Sequence, residues 1–286
     1  SALLITFLMM TVEFIGGFLS SSLALISDAG HMLTDTTALG LALLALLFSR
    51  RPATAEKTYG FYRLEILSAL FNGVVLSLIA IYIFYEAMLR VIHPREVHSI
   101  LMLTVAGIGL IANIIGAIII SKGSRENIAI RGAFWHVVSD ALSSIGVITG
   151  GLIIFFTRAY VADPIIGFLI GIAILRGAWG LIKESVDILL EATPKDINFE
   201  EVEKALKEIN GVRAIHDLHI WTITSGIRAS SVHIVVEDIL ASECGKILNK
   251  INELLKSRFN IEHSTIQFEC ETCEAIVCPL EKKKQD

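Results

Sequence analysis

Charge is scarce in this chain. Of its 286 residues only 19% are Asp, Glu, Lys or Arg, against about 25% in a typical soluble domain, while 53% are hydrophobic and the mean hydropathy is +0.66. The shortage is uneven: residues 1–190 hold long apolar runs, whereas residues 195–286 have an ordinary soluble composition. This excludes a single water-soluble globule and a disordered chain. Cysteine is sparse too. All four (Cys244, Cys270, Cys273, Cys278) lie in the polar part, so a disulfide-rich secreted module is excluded. There is no basic tract, and the net charge of −5 argues against nucleic acid or another polyanion as partner. The opening run lacks the positive region of a secretory signal and leads straight into another helix. It begins abruptly on Ser1, and a short preceding tail is expected. What is present is a membrane protein with a soluble tail.

A helix needs about 20 mainly apolar residues to cross the hydrocarbon core. Six segments qualify, at 2–20, 23–48, 63–92, 99–121, 127–157 and 162–188. Pro52, Pro94, Pro164 and Pro194 fall between these runs or at their ends, and Asp163-Pro164 reads as a helix start with Asp as N-cap and Pro in the first turn. Lys and Arg cluster after helix 2 (Arg50, Arg51, Lys57, Arg63) and after helix 4 (Lys122, Arg125, Arg131). The opposite side has only Arg90, Arg95 and Arg158, so both termini are expected in the cytosol. The cysteines then sit in a reducing compartment, where metal binding is favoured over disulfides. In the tail, 198–209 has helical periodicity, 212–223 and 227–236 alternate as strands about Ser225-Gly226, 242–258 is a second helix and 261–269 a third strand. The expected architecture is therefore α-helical, with six transmembrane helices over 1–190 and a cytosolic α+β domain of order αββαβ over 191–286.

Helix 2 carries His31 and Asp35, and helix 5 carries His136 and Asp140, each pair four residues apart on one helix face. Eight His and nine Asp in 286 residues would give about a quarter of one such match by chance. Both matches, the only two in the chain, lie inside apolar helices. An intramembrane carboxylate costs at least ~2.5–3.5 kcal/mol on insertion scales. Two imidazole nitrogens and two carboxylate oxygens suit tetrahedral Zn²⁺, and two Asp cancel its charge. The competing reading is a pair of interhelical hydrogen bonds. Asp28, a turn before His31, is read first as satisfied near the start of its helix, and otherwise as a proton acceptor or a group behind the ligands. Asn72 and Asn113 are read as helix-packing groups that would otherwise line the metal path. Gly16, Gly17, Gly107, Gly109 and Gly116 are expected at close helix contacts. No role is assigned to Glu13, Glu65 or Glu86. The tail holds a second set: His216 and His233 on neighbouring strands, His263 and Glu269 on the third, then Cys270 and Cys273, with Cys278 beyond. Thiolates and imidazoles suit zinc or a similar borderline-soft metal. His219 is read as a sheet residue, and Cys244 as a core or surface thiol.

The chain resembles the cation diffusion facilitator zinc transporters over nearly its whole length. The resemblance is carried by SDAGHMLTD (27–35), YGFYRLEILSALFNG (59–73), RGAFWHVVSDALSSIGV (131–147), ADPIIG (162–167), HDLHIW (216–221) and HSTIQFE (263–269). It implies a metallochaperone-like cytosolic domain, a homodimer, and exchange of Zn²⁺ for protons. It maps the transport site to His31, Asp35, His136 and Asp140. It gives His216, His233 and Glu269 as ligands of one cytosolic ion, with Cys270, Cys273 and His263 helping to hold another. The segment SKGSRENIAIRGA (121–133) lacks the His-rich loop of many eukaryotic relatives, which favours a prokaryotic plasma membrane. Histidine in both helices favours zinc over manganese or iron. The expected mechanism is alternating access, with zinc driven out of the cytosol by inward protons. The rivals are a metal-conducting channel and a membrane-anchored metal sensor. An enzyme is disfavoured because four protein ligands leave no open position on zinc.

Overall fold

The computed structural model describes residues 2–48, 54–121 and 128–270, with backbone alone at 2, 3, 5, 35, 38, 39, 41–48, 120, 121 and 128–136. By compactness the chain divides into two units, Ser1–Arg51 with Leu67–Lys183, and Pro52–Ile66 with Glu184–Asp286.

The first unit is built from α1 (Ala2–Ser20), α2 (Leu23–Phe48), α3 (from Arg63 to Ile92), α4 (Ser99–Ser121), α5 (Ile128–Thr157) and α6 (from Ala162 to Leu189). Their ends fall within a residue of the apolar runs. Among the described residues four stretches, Arg63–Ile92, Ser99–Ile119, Val137–Thr157 and Ala162–Leu189, are long and apolar enough to cross a bilayer. Leu25, Leu76, Ile83, Met102, Val147 and Ile154 lie in the core between helices. Large apolar side chains also cover the outside: Phe18 is 74% exposed and Phe156 77%. Such a surface is stable only against hydrocarbon. α1 lies against α2 and α4, and α5 against α2 and α4. Glycine permits the closest approach: a Cβ on Gly16 would stand 2.7 Å from Val105, and one on Gly109 2.5 Å from Glu13 Oε1. Gly107 departs from expectation: among the described residues nothing lies within 4 Å of a Cβ there.

Asp163 corrects the sequence reading. α6 begins at Ala162, which puts Asp163 in its first turn, and the fully buried carboxylate caps a different helix. It accepts from Ser22 Oγ (2.5 Å), Leu23 N (2.6 Å) and Ala24 N (3.1 Å), satisfying amides at the start of α2 that have no intrahelical acceptor. Pro164 brings no N–H of its own to be capped. Arg90 Nη1 stands 3.6 Å from Asp163 Oδ2 and donates to the Ser21 carbonyl at 2.5 Å, while its Nε donates to Glu86 at 2.9 Å. Arg95 joins the same Glu86 oxygen at 3.2 Å. The ends of α2, α3 and α6 are thus tied by one buried ionic network.

The second unit adds α7 (Phe199–Lys207), β1 (Ala214–Thr224), β2 (Ile227–Val235), α8 (Ala241–Phe259) and β3 (His263–Glu269), the order αββαβ. Asn198 caps α7 by accepting from Glu201 N. α8 buries the stripe Ile247, Ile251, Leu255 and Phe259, a four-residue spacing on one helical face, and stops at Asn260 in the left-handed conformation. β1 and β2 form an antiparallel hairpin turning at Gly226 (φ 79°), and α8 is the crossover that lets β3 run parallel to β2. The first turn of α3 belongs to this unit. Glu65 accepts from Thr224 and, at 2.7 Å, from Ser225, and Arg63 meets Glu191 at 2.7 Å.

Candidate metal sites

In the helical unit, α2 and α5 bring His31 and Asp140 together, with His31 Nδ1 4.0 Å from Asp140 Oδ1. Both side chains are largely buried, at 27% and 13% exposure. Each is half of a His-x3-Asp pair. The other halves, Asp35 one helical turn past His31 and His136 one turn before Asp140, lie in the helices, but their side chains fall outside the described residues. Two donors of one tetrahedral zinc ion with bonds of about 2.0–2.2 Å stand about 3.4 Å apart, so an imidazole and a carboxylate 4.0 Å apart need move by only about half an ångström to share a cation.

Asp28 does not find its partner at the start of α2, where Asp163 already serves. It is 4% exposed, and its carboxylate accepts from Ser143 of α5, across the interface that also joins His31 to Asp140. Asn72 is 7% exposed on α3, with its Nδ2 unbonded among the described residues, and Asn113 is half-buried on α4. Sequence reasoning passed over Glu13. It is 1% exposed in α1, and its signal was an acid isolated within an apolar helix.

In the α+β unit, antiparallel register sets His216 directly opposite His233, and parallel register carries Glu269 alongside Val235, two residues along the same strand face. The three side chains converge, with ligand atoms all within 4.8 Å of one another. His216 Nε2 is 2.8 Å from Glu269 Oε2, and His233 Nδ1 is 2.9 Å from Oε1. The second approach is close but lacks hydrogen-bond alignment, so a buried imidazole nitrogen points elsewhere than at the carboxylate. Two imidazoles and a carboxylate so placed fit a zinc-type ion, with a fourth position open. Burial raises the Glu269 pKa, yet hydrogen bonds from His216 and Gln267 and the nearby charges of His216 and His233 outweigh it and hold the carboxyl below its ordinary value.

Asp217 was not foreseen. A bulge between His216 and His219 puts it in the left-handed region (φ 51°), where Oδ1 is 2.9 Å from His219 Nε2 and Oδ2 3.7 Å from His233 Nε2. A bulge leaves no periodic trace in sequence. His263 stands apart from the cluster, opposite Ala229 at the far end of β3, with its ring 5.9 Å from that of Tyr59. Cys270 is exposed directly after Glu269, and Cys244 is half-buried against the α8 core. Cys273 and Cys278 lie outside the described residues.

Because a lowered carboxyl pKa stabilises the fold, Glu269 contributes stability that is present above the ordinary glutamate value of 4.5 and lost as pH falls through its own lower one. In metal-free protein, wild type is expected to unfold at higher temperature than Glu269→Gln near neutral pH. The gap should close under acid. Thermal unfolding of both proteins across that range measures it, and a gap that widens on acidification would contradict the geometry.

A lipid-facing helical unit with buried nitrogen and oxygen donors, joined to a small α+β unit bearing a three-ligand cluster, is the build of a membrane protein that handles metal ions. Residues 1–190 match the cation efflux transmembrane domain, and residues 194–271 the cytoplasmic domain of cation efflux proteins. The cation efflux system protein CzcD of Alcaligenes sp. (strain CT14) is 44% identical over 96% of this chain and 86% of its own length. The cadmium, cobalt and zinc/H(+)-K(+) antiporter of Bacillus subtilis (strain 168) is 43% identical over 99% of this chain and 94% of its own. The zinc transporter ZitB of Escherichia coli (strain K12) is 42% identical over 95% and 86%. The chain belongs to the cation efflux family, the cation diffusion facilitators. It is a multi-pass membrane transporter of divalent metal cations and not an enzyme.

Proposed function

We propose that this protein exports zinc from the cytosol in exchange for protons, working as a homodimer by alternating access. The observation that carries the reading is the meeting of His31 and Asp140 between α2 and α5, each from one of the two His-x3-Asp pairs. Asp35 and His136 complete a four-ligand transport site, and six spans place it within the bilayer. Two carboxylates balance the ion's charge in a low-dielectric setting, and two imidazoles favour zinc over harder cations. Asp28, held by Ser143, stands behind the ligands and fixes the spacing of α2 and α5. Asn72 and Asn113 line the approach. Rocking of the helices about the site opens it to either side.

The Lys and Arg bias of the loops puts both termini in the cytosol, and the bacterial relatives favour a prokaryotic plasma membrane. The cytosolic unit binds zinc through His216, His233 and Glu269, with Cys270 and Cys273 supplying thiolates beside them, and its occupancy tunes transport. The wording of the relatives' names supports metal export and, for the Bacillus subtilis protein, proton coupling.

Zinc flux into sealed proteoliposomes, with and without an imposed pH gradient, tests the reading. Zinc uptake is expected to be driven when the proton gradient is directed out of the vesicles, opposite to the zinc movement, and to fall sharply without it. Flux indifferent to the gradient would replace the antiporter by a channel. Absence of flux with zinc still bound to the cytosolic unit would leave a metal sensor.

A further inference from the structure

The transport reading uses His31, Asp35, His136 and Asp140 and leaves one buried acid without a task. Glu13, on α1, is 1% exposed, and its Oε2 has no hydrogen-bond partner among the described residues. Its Oε1 lies 2.5 Å from where a Cβ on Gly109 of α4 would stand, and Ser144 Oγ of α5 lies 3.7 Å from the same point. Ser144 is itself 1% exposed and makes no hydrogen bond among the described residues. A carboxyl with one unbonded oxygen and an unbonded hydroxyl, both buried, therefore lie near each other beside Gly109, where any side chain would collide with Glu13.

The surroundings of Glu13 are acidic. α4 carries no ionisable residue and α1 no other. From α2 the charge of Asp28 acts on it, and from α5 that of Asp140. His31 and Asp35 follow Asp28 along α2, and His136 precedes Asp140 on α5. The one basic residue of these helices, Arg131, is 13 residues before Ser144, about 20 Å along the helix axis. An ionised Glu13 would therefore add, with no basic partner among the described residues, to the negative charge of Asp28 and Asp140 in a low-dielectric setting, an arrangement of high energy. A divalent cation between His31 and Asp140 changes that balance, because its two positive charges offset the acids. Metal at the site and a proton on Glu13 oppose each other through charge alone.

Position along the helices adds a direction. Glu13 lies towards the Ser20 end of α1, Ser144 towards the Thr157 end of α5, and Asp28 between His31 and the Leu23 end of α2. The acid pair thus sits between the metal donors and the side of the unit that the proposed orientation places outside the cell.

Resting on the antiport reading, we infer that Glu13 carries a proton of the exchange, separately from the residues that hold the metal. In the outward-facing state a hydronium ion protonates Glu13 Oε2 and leaves water as the cation departs. In the inward-facing state zinc binding drives that proton from Glu13 to water. The residue accounts for one proton per zinc.

Calorimetry of zinc binding to the full-length protein in detergent, in buffers of differing ionisation enthalpy, counts the protons displaced. Wild type should release about one more proton per zinc than Glu13→Gln, and gradient-driven zinc flux of the variant in proteoliposomes should fall at least tenfold. Equal proton counts in the two proteins would overturn the inference while leaving antiport intact. A wild type that releases no proton on binding zinc would instead remove the antiport reading itself. Should Glu13→Gln not fold, infrared difference spectra of wild-type protein labelled with ¹³C-glutamate decide the question. Zinc should abolish the carbonyl stretch of a protonated glutamic acid, and a spectrum without that loss overturns the proposal.

Discussion

Replacing Asp140 by alanine is expected to lower zinc flux in proteoliposomes by roughly two orders of magnitude or more. Loss of a group that merely orients a zinc ligand costs about 10–100-fold, and Asp140 is placed to be a ligand itself. Its Oδ1 faces His31 Nδ1 at 4.0 Å across α2 and α5, with little exposure to solvent. In the proposed transport site the substitution removes one of four donors. It also removes one of two negative charges, leaving a bound Zn²⁺ with an uncompensated charge where water is scarce. Asp140→Asn keeps the volume and an oxygen but not the charge, and should be nearly as damaging. If Asn transported at half the wild-type rate, the carboxylate would be acting through hydrogen bonding and not as counter-charge. The protein itself should survive, because Asp140 does not tie the helix ends together as the Asp163 network does. Detergent-solubilised Asp140→Ala should therefore elute and unfold much like wild type. Flux within a few-fold of wild type would remove Asp140 from the transport site.

The helices were legible because apolar runs and prolines mark them directly, and the α+β tail because strand alternation and the Ser225-Gly226 turn do the same. The paired His-x3-Asp spacing pointed at His31 and Asp140, since four residues along a helix return to one face whatever the tertiary fold. Relations between helices were less visible. Asp163 reads as a cap because carboxylates cap helices, but which helix it serves depends on how α6 lies against α2, and no local spacing encodes that. Asp28 finds Ser143 for the same reason. The surroundings of Glu13 include Gly109 and Ser144, 96 and 131 positions away in sequence. Asp217 needed the bulge in β1, which the alternation of HDLHIW conceals. Residues that answer to the period of their own element were readable, and those that answer to a neighbouring element were not.

The largest expected effect on stability belongs to Asp163. Alanine at this position should destabilise the protein by about 3–5 kcal/mol, the usual consequence of removing one partner from a buried ion pair. Two losses combine. The amides of Leu23 and Ala24 and the hydroxyl of Ser22 lose a fully buried acceptor, with no water able to replace it. Arg90, 7% exposed, loses the Asp163 carboxylate and among the described residues keeps Glu86, which it already shares with Arg95. For a unit of this size, 1 kcal/mol corresponds to about 2–4 °C, so the apparent Tm in detergent should drop by roughly 10 °C. Asp163→Asn keeps one acceptor oxygen where the carboxylate offers two to Leu23 N and Ala24 N, and loses the charge opposite Arg90, so its loss should be smaller than for alanine but still substantial. A Tm for Asp163→Ala within about 2 °C of wild type, less than 1 kcal/mol on the same scale, would mean that the start of α2 is held by something other than this carboxylate.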